Sequence, residues 1–114
     1  MEEYKRLEEL IDLLNQALSQ YKKRGYEYAT AYKNYRIAVA QKLLELRAND
    51  VPVTIAYDIA RGDEQVAELK KQEIISESLY KSCQEAINSY KLQIKILNNQ
   101  IENEYNNGSG NDKS

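Results

Sequence analysis

The chain has 114 residues, of which 42% are hydrophobic and 30% are charged, and its net charge is −2. This length suits one domain, and the small net charge argues against a basic protein that coats nucleic acid or an anionic membrane. There is no histidine and a single cysteine, Cys83, so the commonest general base and metal ligand is missing and no intrachain disulfide can form. We therefore expect no enzyme, no catalytic residues, no metal site and no cofactor.

The predicted first helix covers residues 3–47. Its apolar residues recur mostly in steps of three and four, with two successive steps of four after Tyr35, which is typical of one buried stripe on a helix that packs against another helix. This stripe, the α1 seam, consists of Leu7, Leu10, Leu14, Ala17, Tyr21, Tyr28, Tyr32, Tyr35, Val39, Leu43 and Leu46. Gly25 lies in the middle of the helix, where glycine is unfavourable, and indicates either a kink or a close approach of a neighbour.

A bend containing a short helix, residues 54–61, is predicted next. Pro52 ends the first helix because it cannot continue the hydrogen-bond ladder. Thr54 is expected to cap the short helix, Gly62 to end it in a left-handed conformation, and Asp63 to cap the helix that follows. Three apolar side chains are expected to fill the inside of the bend: Ile55, Tyr57 and Ile59.

The second long helix is predicted over residues 64–105. Its apolar stripe, the α3 seam, is regular at Tyr80, Cys83, Ile87, Tyr90, Ile94, Leu97 and Ile101, and less regular before that at Val66, Leu69, Ile75 and Leu79. The last residues, 106–114, are polar and rich in Asn and Gly, so we expect a flexible tail.

Two helices of similar length joined by a short bend predict an all-α fold, a long antiparallel two-helix hairpin that resembles a coiled coil and forms one domain over residues 1–105. One seam per helix gives a thin core, so we expect the hairpin to oligomerise into a bundle. The candidate oligomer or partner surface comprises apolar residues outside the seams: Leu92, Ile96, Leu13, Ile37 and Leu44. The alternative is that these are isolated apolar residues of the kind found on any protein surface.

A basic and tyrosine-rich segment, residues 21–36, holds five basic residues against one acid, together with five tyrosines. Cations beside aromatic rings can hold the phosphates of a nucleic acid while the rings stack on its bases. The candidate nucleic-acid or anion-binding residues, here called the basic stripe, are Lys22, Lys23, Arg24, Tyr26, Lys33 and Arg36. The alternative is structural, with the tyrosines in the seam and with Lys22 and Lys33 paired with glutamates of the second helix.

Several short motifs follow one another from the bend onward. They are Pro52-Val53-Thr54, Asp58-Ile59-Ala60-Arg61-Gly62-Asp63-Glu64, Val66-Ala67-Glu68-Leu69, Tyr80, Ala86-Ile87-Asn88-Ser89-Tyr90-Lys91-Leu92, Ile96-Leu97 and Glu104-Tyr105. Together, over residues 36–105, they resemble a group of short proteins encoded by phages and prophages of Gram-positive bacteria. Members often carry Trp where this chain has Tyr90, which is a conservative departure. Their genes often lie near replication and recombination genes, and the resemblance assigns no binding residues.

We therefore expect a phage or prophage accessory protein that acts by protein–protein contact, with itself and an unknown protein as partners. The alternative is an accessory factor that binds single-stranded nucleic acid or nucleotides in replication, recombination or counter-defence. A secreted helical hairpin of the Trp-x-Gly type would suit the architecture, but the bend lacks that motif. The charged N-terminus lacks the apolar core of a signal peptide, and no apolar run is long enough to cross a bilayer. We expect a cytoplasmic protein of the bacterial host cell with no membrane contact.

Overall fold

The computed structural model describes residues 2–112, and it describes the side chains of residues 2–107. Over that part of the chain it contains three helices and no strand: α1 (Glu2–Ala48), α2 (Val53–Gly62) and α3 (Glu64–Asp112). The all-α prediction is confirmed, and the two long helices begin within one residue of their predicted starts. No helix among the described residues combines the length and the apolar character that crossing a bilayer requires.

Internal packing divides the chain into two compact units. The terminal unit comprises Met1–Tyr21 and Ser82–Ser114, and the bend unit comprises Lys22–Lys81. Both long helices contribute a segment to each unit. That the two units fold together as one domain over residues 1–105 stays a prediction.

In the bend unit, α1 and α3 run in opposite directions. Lys42 of α1 lies 3.5 Å from the carboxylate of Asp63, at the start of α3. Further from the bend, the Tyr28 hydroxyl donates a 3.2 Å hydrogen bond to Glu77. The core between the helices consists of Tyr35, Val39 and Val66, with Ala38, Leu43 and Leu69 packed around it. It buries apolar surface on one face of each helix, as the seams predict.

One position of the α3 seam is polar rather than apolar. Glu73 is only 5% exposed, whereas Ile75 and Leu79, which were expected in the seam, are 43% and 41% exposed. Glu73 follows Val66 by seven residues and Leu69 by four, so all three share one helix face. The ammonium group of Lys70 donates a 3.1 Å hydrogen bond to the Glu73 carboxylate, which keeps the buried charge paired.

The C-terminus of α1 closes in a left-handed turn at Asp50, whose φ is 63°. The Val51 amide donates to the Leu46 carbonyl at 3.0 Å, and the Asp50 amide donates to the Arg47 carbonyl at 3.1 Å. This pair of bonds is the Schellman arrangement, which satisfies carbonyls at a helix end. Pro52 follows directly and prevents the helix from resuming.

Helix α2 packs through its alanines. Ala56 and Ala60 are 2% and 0% exposed, one helical turn apart. The expectation that Ile55, Tyr57 and Ile59 fill the bend was wrong, since they are 48%, 48% and 44% exposed. Steps of two place residues on one face of a strand but not of a helix, and small alanines let a short helix pack closely.

The ends of α2 also differ in part from expectation. The helix begins at Val53 after Pro52, so Thr54 lies inside the helix and does not cap it. Gly62 does not adopt a left-handed conformation, and α2 ends instead because Asp63 is extended, with φ −61° and ψ 136°. Asp63 does cap α3 as predicted, because its carboxylate accepts a 3.2 Å hydrogen bond from the Val66 amide.

Gly25 lies where α1 and α3 approach closely. A Cβ atom built on Gly25 would stand 3.1 Å from Cε1 of the Tyr80 ring. Helix α1 continues through this position from Glu2 to Ala48. Of the two interpretations of Gly25 offered by the sequence, the structure favours close approach.

Helix α3 extends to Asp112, seven residues beyond its predicted end at Tyr105. Residues 106–112 therefore belong to the helix, the flexibility of the tail stays a prediction, and residues 113–114 lie outside the described part of the chain. An existing helix gains one hydrogen bond for each residue added, so poor helix formers such as Asn and Gly can still extend it.

Candidate functional site

The basic stripe is spread along α1. Lys22 and Lys23 are exposed, and Tyr26 is 76% exposed, so these side chains lie outside the packed seam. Arg24 is engaged within its own helix, with a 3.1 Å salt bridge to Glu27. Lys33 is exposed as well, and Arg36 lines a cleft of the bend unit. Binding of nucleic acid by this set stays a prediction.

The alternative expectation, that Lys22 and Lys33 pair with glutamates of the second long helix, was wrong. Among the described side chains, neither Lys22 nor Lys33 forms an ion pair with a glutamate of α3. Two of those glutamates are instead paired within α3. Glu73 pairs with Lys70 at 3.1 Å, and Glu77 pairs with Lys81 at 2.6 Å. Neighbours three or four residues apart on a helix are well placed for such pairs.

The candidate oligomer surface is mostly open to solvent. Leu92 and Ile96 of the terminal unit are 57% and 50% exposed, and Ile37 and Leu44 of the bend unit are 47% and 73% exposed. Leu13 is the exception because it is partly buried. These exposures fit a surface available to a partner, and the partner itself stays a prediction.

A cleft of about 490 Å³ opens in the bend unit, with all three helices contributing to its walls. We call it the arginine–tyrosine cleft. Its polar and aromatic lining consists of Tyr32, Tyr35 and Arg36 from α1, Tyr57 and Arg61 from α2, and Lys70 and Glu73 from α3. This volume lies within the range of small-molecule binding sites.

Each cation of the cleft lies over a tyrosine ring. Lys70 Nζ is 4.8 Å from the centre of the Tyr35 ring, and the Arg61 guanidinium is 5.6 Å from that of Tyr57. Arg36 and Tyr32 form the third pair, at 6.0 Å. In both arginine pairs the arginine follows the tyrosine by four residues, which places the two side chains on one helix face.

The charge of Lys70 is paired with a carboxylate, whereas the charges of the two arginines are not. The hydrogen bond to Glu73 raises the pKa of Lys70 above its usual value. By contrast, neither Arg36 nor Arg61 forms an ion pair among the described side chains. The cleft therefore presents two guanidinium groups with unused hydrogen-bond donors, and it can bind an anion.

A second polar cluster lies between α1 and α3 near Gly25, formed by Tyr28, Glu77, Tyr80 and Lys81. The Tyr28 and Tyr80 rings pack with their centres 5.9 Å apart. Hydrogen bonds from Lys81 and Tyr28 lower the pKa of Glu77, and partial burial with the bond to Glu77 raises the pKa of Tyr28. Tyr28 and Lys81 both bond to Glu77, so these three side chains contribute to packing between the helices rather than to ligand binding.

The described residues contain no group of three or more carboxylate or cysteine side chains arranged to hold a metal ion. Cys83 is free and partly buried. It lies in the α3 seam, where a small apolar side chain is expected.

Sequence reasoning found only one of the three cations of the cleft, Arg36. Arg61 and Lys70 were missed because they come from α2 and α3 and join the cleft only when the helices pack. A signal was present in the sequence, since Tyr57 and Arg61 repeat the four-residue spacing of Tyr32 and Arg36.

Comparisons with protein-family models, with curated proteins and with solved structures found no match to this chain.

Proposed function

We propose that this chain is a non-catalytic binding protein that acts through protein–protein contacts, with a second copy of itself as its first partner. In this proposal the two long helices pair along their whole length as a coiled-coil-like hairpin with α2 at its bend. Copies of the hairpin then associate into a bundle.

The observation that carries the proposal is the exposure of Leu92 and Ile96 in the terminal unit, at 57% and 50%. They are four residues apart and so share one face of α3. A second apolar stripe of the same unit runs along α1 at intervals of seven residues: Tyr4, Ile11 and Leu18, 52%, 42% and 40% exposed. Burying a large aliphatic side chain contributes about 1.5–3 kcal/mol, so covering these stripes would stabilise a pair of chains.

The charge distribution along α1 favours a second copy as the partner. Residues 1–15 carry five acids and two bases, whereas residues 21–36 carry five bases and one acid. Two α1 helices side by side in opposite directions would bring the acidic segment of each next to the basic segment of the other. Such complementarity favours one orientation of association.

The resemblance of residues 36–105 to short phage and prophage proteins supports an accessory role in a phage, with a further protein as its target. Affinity capture from lysogenic or infected cells tests this role. We expect a host or phage protein to co-purify with the wild type and to be lost when Leu92 and Ile96 are both replaced by Glu.

Self-association is tested by sedimentation equilibrium of the wild type and of the double variant Leu92→Glu with Ile96→Glu. We expect the wild type to be a dimer or a larger assembly and the variant to be a monomer, because two carboxylates cannot be buried in an apolar contact without large cost. Circular dichroism should show the same helicity for both proteins.

The matched control is Gln84→Glu with Asn98→Glu, which adds the same two carboxylates to α3 at exposed polar positions. This protein should associate like the wild type. A wild type that sediments as a monomer at its highest soluble concentration would contradict self-association, as would equal loss of association in the control.

A further inference from the structure

The arginine–tyrosine cleft combines the two kinds of group that recognise nucleotides. Its guanidinium groups, Arg36 and Arg61, form no ion pair among the described side chains. A guanidinium offers a planar fork of donors that matches two oxygens of a phosphate. Three cations face one carboxylate in the lining, so an anion entering the cleft meets a favourable field.

The tyrosines add flat apolar surface at the same place. Tyr32 and Tyr57 are 45% and 48% exposed, so part of each ring is open to a ligand. Their arginines lie 6.0 and 5.6 Å from the ring centres, at the outer limit of cation–aromatic attraction. Such contacts are weak at exposed sites, so a phosphate can compete with the rings for the guanidinium groups.

We propose that the arginine–tyrosine cleft binds a nucleoside phosphate, either as a free nucleotide or as part of a single strand. Arg36 and Arg61 would hold the phosphate, and Tyr57 and Tyr32 would stack on the base. The cleft of about 490 Å³ has room for one nucleotide at a time, which suits a mononucleotide or a local grip on a strand. This proposal is independent of self-association and concerns the bend unit alone.

An acidic peptide is the competing ligand for two arginines. It would satisfy the guanidinium groups, but its aliphatic carboxylate side chains have no flat ring to place against Tyr32 and Tyr57. Stacking on exposed aromatic side chains contributes to single-strand binding whatever the base, because every base has an aromatic face. The pairing of exposed rings with unpaired guanidinium groups therefore favours the nucleoside phosphate.

The test measures the fluorescence anisotropy of a fluorescein-labelled single-stranded thymidine hexamer, titrated with the full chain at low salt. The cleft variant is Arg36→Gln with Arg61→Gln. The control is Lys71→Gln with Lys91→Gln, which removes two positive charges from exposed positions outside both the cleft and the basic stripe. We expect the cleft variant to bind at least about tenfold more weakly and to flatten the slope of log affinity against log salt by about 1.4.

A second pair of variants tests stacking. Tyr57→Leu should weaken binding by at least about fivefold, because a leucine side chain cannot stack on a base. Tyr105→Leu is its control, since Tyr105 is 77% exposed and lies outside both the cleft and the basic stripe. Circular dichroism should confirm that all four variants keep the helicity of the wild type, so that weaker binding reports on the cleft.

Competition distinguishes the two sources of the ligand. Displacement of the hexamer by adenosine monophosphate supports binding of a free nucleotide, and displacement by unlabelled hexamer alone supports binding of a strand. The proposal is overturned if neither ligand binds at low salt, or if the cleft and control variants lose affinity equally. It is also overturned if the hexamer does not bind while a labelled polyglutamate peptide does, and if the Arg36→Gln with Arg61→Gln variant weakens binding of that peptide.

Discussion

At the scale of single residues, Gly25 is placed where two requirements conflict. A helix interior favours alanine over glycine by about 1 kcal/mol. The packing of α3 opposes that substitution, because a Cβ at Gly25 would stand 3.1 Å from the Tyr80 ring. Close contact between the helices therefore explains the glycine at this position, and this contact outweighs the lower helix propensity of glycine.

This conflict predicts a strong coupling between positions 25 and 80. We expect Gly25→Ala to be neutral or destabilising in the wild type, because the ring of Tyr80 must move. In a Tyr80→Leu background the same change should stabilise the protein by about 1 kcal/mol, since the smaller side chain leaves room for the methyl group. Urea unfolding of the four proteins of this double-mutant cycle measures the coupling.

Gly62 provides the matched control, since a Cβ there meets no atom within 4 Å. Its φ is not positive, so Gly62→Ala should stabilise the protein with either residue at position 80. If Gly25→Ala stabilised the wild type as much as it stabilises the Tyr80→Leu background, the close approach of the helices would have no effect on the free energy of unfolding.

At the scale of whole elements, the start of α3 depends on Asp63. Its carboxylate accepts a hydrogen bond from the Val66 amide and lies 3.5 Å from Lys42. These interactions favour the charged form, and the bond from the Val66 amide is the main cause of the lowered pKa of Asp63. A carboxylate at a helix N-terminus also interacts favourably with the helix dipole.

The lowered pKa predicts a specific pH dependence. Stability contributed by ionised Asp63 is fully present above the usual aspartate pKa of about 4, and it is lost as the pH falls through the lowered folded-state value. Asp63→Asn keeps a capping acceptor without the charge. We expect the melting temperature of the wild type to exceed that of this variant at pH 7, and the difference to vanish in acid.

The control for this pH profile is Asp58→Asn, which changes an exposed aspartate of α2. Its melting temperature should follow that of the wild type across the pH range. If the difference between the wild type and Asp63→Asn were the same at pH 7 and in acid, the charge of Asp63 would have no role in the cap.

The elements also show what the sequence could and could not predict. Periodic apolar residues predicted both long helices because a buried face must recur every three or four residues. They did not predict that Glu73 occupies a seam position, since a buried carboxylate is acceptable only with a partner such as Lys70. In α2 the large apolar side chains of Ile55 and Ile59 suggested the wrong buried face, because the face that is buried consists of small alanines.

The candidate site was harder to predict than the helices. The basic stripe was a set of neighbours on one helix, and a single helix can be projected from sequence alone. The arginine–tyrosine cleft instead joins Arg36, Arg61 and Lys70 from three helices, so it depends on how the helices are paired. A repeating apolar seam permits several such registers, and only the packed structure selects one.

At the scale of the whole molecule, α1 and α3 each continue without interruption through both the terminal and the bend unit. Among the described side chains, each unit has only a few buried apolar ones, such as Leu10 in the first and Val39 in the second. A short helical segment with so little packing is marginal by itself, because forming its first turn is costly. When a helix is already formed in one unit, extending it into the other needs no new first turn. The two units should therefore unfold together.

This reasoning predicts one cooperative unfolding transition. Six of the ten tyrosines lie within Lys22–Lys81, so tyrosine fluorescence reports mainly on the bend unit, while circular dichroism reports on all helices. The two signals should give one midpoint in urea at a fixed protein concentration. Leu10→Ala should destabilise by about 2–5 kcal/mol, as is typical of a leucine deleted from a core, and it should shift both signals equally.

A control variant, Ile74→Ala, shortens a side chain that is 56% exposed, so it should change stability by no more than about 0.5 kcal/mol. If Leu10→Ala moved the dichroism midpoint and left the tyrosine midpoint unchanged, the units would unfold independently. Continuity of the helix would then be too weak to couple them, and residues 1–105 would behave as two domains. If both midpoints shift equally, packing at Leu10 stabilises both units. The arginine–tyrosine cleft, whose lining lies within the bend unit, would then depend on a residue of the terminal unit.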